Sequence, residues 1–316
     1  MTSTAVPAAL TASLRQLGEP GRRWLLDLPG VVAGLAEAWG LTLGESLEGG
    51  NTAFVVAATD EDGRSLVLKV AMPEGVEGFA PFEQEMTTLL LAGGDPYVQV
   101  VRHHAGHRAL LLERLGQPLA RLGLSTIEKL TITAHTLRRG WRPVPDSHLL
   151  PHGDDKASRL VDMIRRDWEQ LGHPCSRAAI EQAGRSAEER AVGFRASEAV
   201  LIHGDAHTDN VLQVVGRPGE FRLIDPEGLL SEPEHDIGVL LRDGNTELLA
   251  NDTLDLARER CLHVAGIAGV DPVPAWQWSC IERIATGLFL LRLGYQREGR
   301  EFLEVADRLA AGGPLP

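Results

Sequence analysis

Short apolar runs enclose a polar loop between Leu201 and Asp225, and this stretch limits the possible folds more than any other. The loop carries His203, Asp205 and Asn210 in the spacing H-x-D-x-x-x-x-N, and the last apolar run leads into Asp225. The alternation predicts strand, loop, strand, turn and strand, which would bring the loop and Asp225 into one compact unit. A plain loop whose Asp and Asn side chains cap turns is the ordinary alternative.

The residue types in this stretch suit phosphoryl transfer. A carboxylate at Asp205 can accept the proton of a hydroxyl nucleophile. The Asn210 amide oxygen and the Asp225 carboxylate are hard oxygen donors, which magnesium prefers. Phosphoryl transfer needs positioning, metal and charge neutralisation at its centre. An Asp at the end of the strand after H-x-D-x-x-x-x-N matches the kinase catalytic loop and its metal-binding Asp.

The sequence HGDAHTDN, followed by LIDPEGLLSEPEHDIGVLLR, resembles the aminoglycoside phosphotransferase family. Within that family, IDPEGLLSEPEHD is similar to the branch of streptomycin 6-phosphotransferases and hydroxyurea phosphotransferases. The resemblance runs from about Gly21 to the last helix. It implies an α+β, two-lobed, protein-kinase-like fold with a small antiparallel β-sheet lobe and a larger, mostly helical lobe. We expect a nucleotide-binding lobe over 1–113, including N-terminal helices, a catalytic and acceptor-binding lobe over 114–316, and ATP between them.

Two features of the N-terminal half fit a nucleotide site. A glycine pair between predicted strands lets backbone N–H groups approach a phosphate closely, although an ordinary hairpin turn has the same pattern. This turn consists of Gly49, Gly50, Asn51 and Thr52. Lys69 follows within an apolar strand, where burial is costly without a partner. It resembles the kinase lysine that holds the α- and β-phosphates, and a solvent-facing lysine is the alternative.

A buried lysine needs an acidic partner, and the next predicted helix, Phe82 to Leu91, offers Glu83 and Glu85. Glu85 is preferred because it precedes the apolar run in the way the family pattern suggests. By the same resemblance, the backbone that follows the predicted strand Ala109 to Leu112 would bind adenine. The residues implied there are Glu113, Arg114 and Leu115.

The segment after Asp225 is acidic and departs from the Asp-Phe-Gly order of protein kinases. We expect Asp236 to stabilise the catalytic loop or neighbouring backbone, and His203 to stiffen that loop by hydrogen bonding. Glu232 and Glu234 either face a cationic acceptor or supply acidic residues to a helix start.

Apolar residues at helical spacing predict helices on both sides of this stretch. Arg22 to Trp39 has that spacing, with Pro29 and Gly30 expected to break or restart the helix and Gly40 to end it. Thr246 to Ala268 is predicted as one helix.

Composition narrows the function. A net charge of -13 argues against nucleic-acid binding and is compatible with a cationic acceptor. The cysteines form no metal-ligand pattern, and neither a signal peptide nor a membrane-spanning run is predicted, so we expect a cytoplasmic protein without a membrane partner. With the resemblance, this predicts a small-molecule O-phosphotransferase using ATP and Mg2+, with streptomycin at its 6-hydroxyl favoured and antibiotic resistance as the result. Hydroxyurea, another aminoglycoside, an unrelated metabolite and a non-catalytic regulatory module stay as alternatives.

Overall fold

The computed structural model describes residues 6–47, 50, 52–75, 80–144, 149–313 and 315. The chain divides into two compact units, Met1–Gly116 with Val214–Gly219, and Gln117–Gln213 with Glu220–Pro316. The first unit contains an antiparallel sheet, and the second is mostly helical. This is the predicted α+β, kinase-like architecture.

The first unit begins with α1 (Ala8–Gln16) and α2 (Glu19–Trp39) and has α3 (Phe82–Ala92) between its third and fourth strands. Within its described residues, the sheet has the order β1-β2-β3-β5-β4, with all neighbours antiparallel. Its strands are β1 (Thr42–Ser46), β2 (Ala53–Thr59), β3 (Ser65–Ala71), β4 (Val100–His104) and β5 (Ala109–Glu113).

Helix α2 corrects one prediction, because it continues through Pro29 instead of breaking there. A proline inside a helix costs about 3 kcal/mol. Leu28, Val32 and Leu35 lie on one face of α2 and are buried in the same core as the sheet residues. Burying such side chains contributes roughly 1.5–3 kcal/mol each, so packing outweighs the proline. The predicted end is confirmed: Gly40 has φ 64° and caps the helix.

The second unit surrounds its short strands with long helices. The strands are β6 (Val200–Ile202), β7 (Val211–Gln213), β8 (Phe221–Leu223) and β9 (Leu229–Ser231). Strand β6 pairs with β9, and β7 pairs with β8, both antiparallel. The helices are α4 (Thr126–Gly140), α5 (Gly153–Gln170), α6 (Arg177–Gly193), α7 (Pro233–Leu241), α8 (Asn245–Leu249), α9 (Thr253–Ala268), α10 (Pro272–Arg292) and α11 (Gln296–Gly312).

The core of this unit lies between α5, α6, α10 and α11, where Trp168, Trp278 and Leu303 are buried. The prediction of one helix from Thr246 to Ala268 was wrong, because α8 ends and α9 restarts. Asp252 caps the restart by accepting a 3.1 Å hydrogen bond from the Asp255 N–H, a local bond that competes with helix continuation. No helix in the described part of the chain is long and apolar enough to cross a membrane.

Candidate active site

His203 ties the polar loop after β6 to the strand that leads into Asp225. Its Nε2 lies 2.8 Å from the Ile224 carbonyl oxygen, and its Nδ1 accepts a 3.2 Å hydrogen bond from the Asp205 N–H. Because Nδ1 is an acceptor, the ring proton belongs on Nε2, where it donates to Ile224. Burial lowers the pKa of His203, which favours this neutral ring.

Asp236, in the first turn of α7, accepts three hydrogen bonds in the interior of the unit. Its Oδ2 accepts from the His203 N–H at 3.0 Å and from Trp141 Nε1 at 2.8 Å. Its Oδ1 accepts from the Gly204 N–H at 2.8 Å. Gly204 has φ +81°, and a Cβ there would lie 3.2 Å from the Glu227 Cβ, so the turn requires glycine. Asp236 therefore contacts the loop backbone, as the sequence led us to expect.

Asn210 and Asp225 lie on neighbouring backbone. Asn210 Nδ2 donates to the Asp205 carbonyl at 3.0 Å, and the Ile224 N–H donates to the Asn210 carbonyl at 3.0 Å. Asp225 has φ +55°, a conformation that is uncommon for a residue other than glycine and is seen most often for Asn and Asp.

The donor atoms of this pair fit magnesium. Because the Asn210 nitrogen is used in the loop, its Oδ1 is the atom to offer a metal, together with the Asp225 carboxylate. No group of three His, Cys, Asp or Glu side chains in the described residues is arranged to hold a metal. Magnesium retains several waters and needs few protein ligands, so one amide oxygen and one carboxylate are compatible with it.

Arg242, immediately after α7, contacts the Asp205 carboxylate and was not anticipated from the sequence. Its Nη2 lies 2.5 Å from Asp205 Oδ1, while His207 Nε2 lies 3.7 Å from Oδ2. Burial raises the pKa of Asp205, but the charges of Arg242 and His207 outweigh it and lower the pKa to about 2. The Asp205 side chain is still 38% exposed. It therefore presents an ionised carboxylate to solvent.

Further charged groups surround this carboxylate. Arg242 Nη1 lies 3.5 Å from Glu282 Oε2, and Glu282 Oε1 lies 3.0 Å from His235 Nε2. Lys156 pairs with Glu227 at 2.5 Å. Burial lowers the pKa of Lys156, but Glu227 and Glu282 outweigh it, so the pKa is raised overall.

Both acidic residues that were considered for a cationic acceptor are engaged within the protein. Glu232 Oε1 accepts a 2.6 Å hydrogen bond from Trp278 Nε1, and Glu232 Oε2 lies 3.3 Å from Arg190 Nη1. Glu234 accepts a 3.2 Å hydrogen bond from the Asp271 N–H. An acceptor would have to compete with these contacts.

In the first unit, Lys69 and Glu85 form the ion pair that the sequence favoured. Lys69 Nζ lies 2.6 Å from Glu85 Oε1, and the two residues are only 5% and 9% exposed. Lys69 lies opposite Val55 and Leu110 in the sheet, so its strand position places it among apolar neighbours. Glu83, the other candidate partner, is exposed.

The remaining predicted nucleotide contacts also belong to the first unit. Gly50 has φ +70°, and a Cβ there would meet no atom of the described residues within 4 Å. The Thr52 carbonyl accepts a hydrogen bond from the Met72 N–H at 2.8 Å. Gly49 and Asn51 lie outside the described residues.

At the exit of β5, the Glu113 N–H donates to the Gln99 carbonyl at 3.0 Å and the Arg114 N–H donates to the Ser65 carbonyl at 3.3 Å. Leu115 follows them and is buried. The two preceding N–H groups are therefore used within this unit.

Sequence reasoning missed residues that join the site through long-range contacts. They are Arg242, Lys156, Glu227, His235 and Arg190. One signal was available for Arg242, because it follows directly on α7, whose first turn contains Asp236. Six positions separate these two residues, and no periodicity indicates that both return to the same loop.

Residues 39–288, which include Lys69, the HGDAHTDN loop and Arg242, match the sequence profile of a family described as aminoglycoside/hydroxyurea antibiotic resistance kinase. The chain belongs to this family. As a kinase of this family, it is a phosphotransferase that acts on a hydroxyl group of a small molecule, and membership of a kinase family implies ATP as the donor.

Relatives of this kinase act on different acceptors. The streptomycin 6-kinase of Streptomyces glaucescens is 28% identical over 280 residues, which cover 87% of each chain. The hydroxyurea phosphotransferase of Kitasatospora aureofaciens is 27% identical over 288 residues, covering 87% of this chain and 76% of the relative. The crystal structure of an ADP-bound aminoglycoside phosphotransferase has a TM-score of 0.53 and 17% identity, covering 89% of this chain and 98% of that chain. This structural likeness shows a shared fold.

Proposed function

We propose that this kinase transfers the γ-phosphoryl group of ATP, with magnesium, to the 6-hydroxyl of streptomycin and thereby inactivates the antibiotic. The observation that carries the proposal is the Asp205 carboxylate, which is ionised, partly exposed and fixed on a hydrogen-bonded loop. The streptomycin 6-kinase of Streptomyces glaucescens supports this acceptor, as does the net charge of -13, which suits a cationic molecule.

The role that we propose for Asp205 follows from the position of its carboxylate on the loop. Asp205 orients the acceptor hydroxyl and accepts its proton. A carboxylate with a pKa of about 2 is a weak base, which suits a loose transition state in which the proton leaves late. Its main contribution in this reaction is therefore orientation of the oxygen nucleophile.

Asn210 and Asp225 would hold magnesium, which neutralises charge on the phosphates. Lys69, paired with Glu85, would hold the α- and β-phosphates. Gly49, Gly50, Asn51 and Thr52 would supply backbone contacts to phosphate. For adenine, we assign the donor to the Leu115 N–H, because the N–H groups of Glu113 and Arg114 are used within the first unit.

A second acceptor has specific support. The hydroxyurea phosphotransferase of Kitasatospora aureofaciens is nearly as similar to this chain as the streptomycin kinase is. Hydroxyurea is small and uncharged, so it needs no cation-binding carboxylate. A direct comparison of the two acceptors therefore separates the alternatives.

The test is phosphoryl transfer with magnesium and ATP across streptomycin, hydroxyurea and other aminoglycosides, with the phosphorylated product identified by mass spectrometry and NMR. Asp205→Ala is expected to lower kcat by about 100-fold or more while ATP affinity is retained. Asp209→Ala is the matched control, since Asp209 lies on the same loop with a side chain that is 65% exposed. Phosphoryl transfer to hydroxyurea and not to streptomycin would show that hydroxyurea is the acceptor and refute the proposed one. Full activity of Asp205→Ala would refute the role assigned to Asp205.

A further inference from the structure

The contact between Arg242 and Asp205 uses only one of the two carboxylate oxygens. Arg242 Nη2 donates to Oδ1 at 2.5 Å, whereas Oδ2 lies 3.7 Å from His207 Nε2, beyond hydrogen-bond distance. A guanidinium is planar and donates in fixed directions, so this bond restricts rotation of the carboxylate more than a lysine would. Oδ2 is therefore the oxygen that is left to receive an acceptor hydroxyl.

Arg242 is itself held from its other side. Its Nη1 lies 3.5 Å from Glu282 Oε2, and the Glu282 side chain is only 6% exposed. The second oxygen of Glu282 lies 3.0 Å from His235 Nε2, so the two oxygens of one buried carboxylate face two different donors. The guanidinium of Arg242 therefore lies between the carboxylates of Asp205 and Glu282, and its Nε lies 3.9 Å from Asp243 Oδ1.

The far end of this chain of contacts is embedded in the core. His235 is fully buried, and its ring stacks on Trp278 with centroids 3.6 Å apart and planes 8° apart. Its Nδ1 lies 3.3 Å from Ser231 Oγ. Close-packed aromatic rings in a core have little freedom to move. Contacts from Trp278 through His235, Glu282 and Arg242 therefore connect the packed core of the second unit to the Asp205 carboxylate.

We propose that Arg242 and Glu282 are positioning residues for phosphoryl transfer, which orient the Asp205 carboxylate so that Oδ2 faces the acceptor hydroxyl. The inference rests on the proposed function, because it concerns the same reaction. A displacement of about 1 Å in a reacting group lowers rates by about 100-fold, so we expect a misoriented Asp205 carboxylate to lower kcat. Arg242 and Glu282 touch neither ATP nor magnesium in this proposal, so KM for ATP should be unaffected.

The test compares steady-state kinetics of the full-length wild type, Glu282→Gln, Arg242→Lys and Arg242→Gln, with the acceptor that the wild type phosphorylates. Glutamine has the shape of glutamate but offers one acceptor oxygen, so its NH2 group meets one of two donors, His235 or Arg242. We expect Glu282→Gln to lower kcat about tenfold with KM for ATP within about twofold. We expect kcat to fall in the order wild type, Arg242→Lys, Arg242→Gln. Lysine keeps the positive charge but loses the planar set of donors that the guanidinium provides, and glutamine loses both.

Asp167→Asn is the matched control for a general loss of stability. Like Glu282, Asp167 is a buried carboxylate with two cationic or ring-nitrogen neighbours. Both neighbours of Asp167 are arginines, with Oδ1 at 2.9 Å from Arg166 and Oδ2 at 3.4 Å from Arg292. Its variant should lower the melting temperature and leave kcat unchanged. If Glu282→Gln does not fold, the inference is tested by comparing kcat of Arg242→Lys and Arg242→Gln with that of the wild type.

The outcomes separate the inference from the function. If the wild type transfers phosphate and the Glu282 and Arg242 variants keep its kcat, the inference fails and the function stands. The inference also fails if Asp167→Asn loses as much kcat as Glu282→Gln, because the effect would then be general. If the wild type transfers phosphate to no acceptor, the proposed function fails, and the inference fails with it.

Discussion

Lys69 places a positive charge in the apolar interior of the first unit, and Glu85 compensates it at 2.6 Å. Removing one partner of a buried ion pair typically costs about 3–5 kcal/mol. We therefore expect Glu85→Gln to lower the free energy of unfolding by about 3 kcal/mol and to lower kcat/KM for ATP, because Lys69 is no longer held in place. Urea unfolding and initial-rate kinetics measure the two effects.

The control for this prediction lies on the same helix. Glu83 is two positions from Glu85 and is exposed, so Glu83→Gln is expected to leave both the unfolding free energy and kcat/KM for ATP close to wild type. Equal behaviour of the two variants would show that the buried pair has no particular role in stability or in ATP use.

The contrast between Lys69 and Arg242 shows which contacts can be predicted from a single sequence. Lys69 was paired with a residue on the next predicted helix, because a lysine in an apolar strand requires a partner and the helix offers few acids. Arg242 pairs with Asp205 only because α7 folds back beside the loop, 37 positions earlier in the chain. No local rule for strand or helix contains that information, so the contact between Arg242 and Asp205 became visible only in three dimensions.

Helices α7 and α10 approach each other closely at Gly238, and this contact sets the distance between Arg242, which follows α7, and Glu282 on α10. A Cβ at Gly238 would lie 2.3 Å from the Trp278 Cβ and 2.8 Å from the Ser279 backbone nitrogen, so one of the helices would have to move. Overpacking of this kind typically costs about 1–3 kcal/mol. We expect Gly238→Ala to destabilise the protein by about 2 kcal/mol or more and to lower kcat, because α7 leads to Arg242 and α10 carries Glu282.

Gly266 on α9 is the matched control, because a Cβ there would meet none of the described atoms outside its own helix backbone within 4 Å. Gly266→Ala is expected to leave kcat unchanged and to stabilise the protein by up to about 1 kcal/mol through helix propensity. Thermal melts and kinetics on both variants check the pair. A Gly238→Ala protein with wild-type stability would mean that the helices can separate without cost.

Element boundaries were predictable where a side chain marks them and were missed where packing or capping overrides the pattern. Ser125 and Glu128 form a capping box at the start of α4, and the spacing S-x-x-E is typical of such a start. The apolar face of α2 carries the helix past Pro29, and Asp252 starts a new helix inside an apolar-periodic segment. Both errors arose because periodicity describes a face of a helix, while tertiary contacts decide where the helix continues.

At the scale of the whole molecule, the three cysteines report on cooperative unfolding of the second unit. Cys175, Cys261 and Cys280 are free thiols that are buried in this unit. Burial raises the pKa of Cys175 and of Cys261 to about 12, and that of Cys280 to about 11. The thiolate is the reactive form, so these thiols are both inaccessible and protonated at neutral pH.

We therefore expect an aromatic disulfide reagent to label the folded protein only as fast as the second unit opens, and to label all three thiols per chain at once in urea. Addition of magnesium, ATP and the acceptor should slow labelling further, because ligands that bind only the folded state stabilise it. Absorbance of the released thiolate gives the rate and the number of reacted groups. Rapid labelling of a single cysteine in the folded protein would contradict this, because one thiol would then be reached without opening of the second unit.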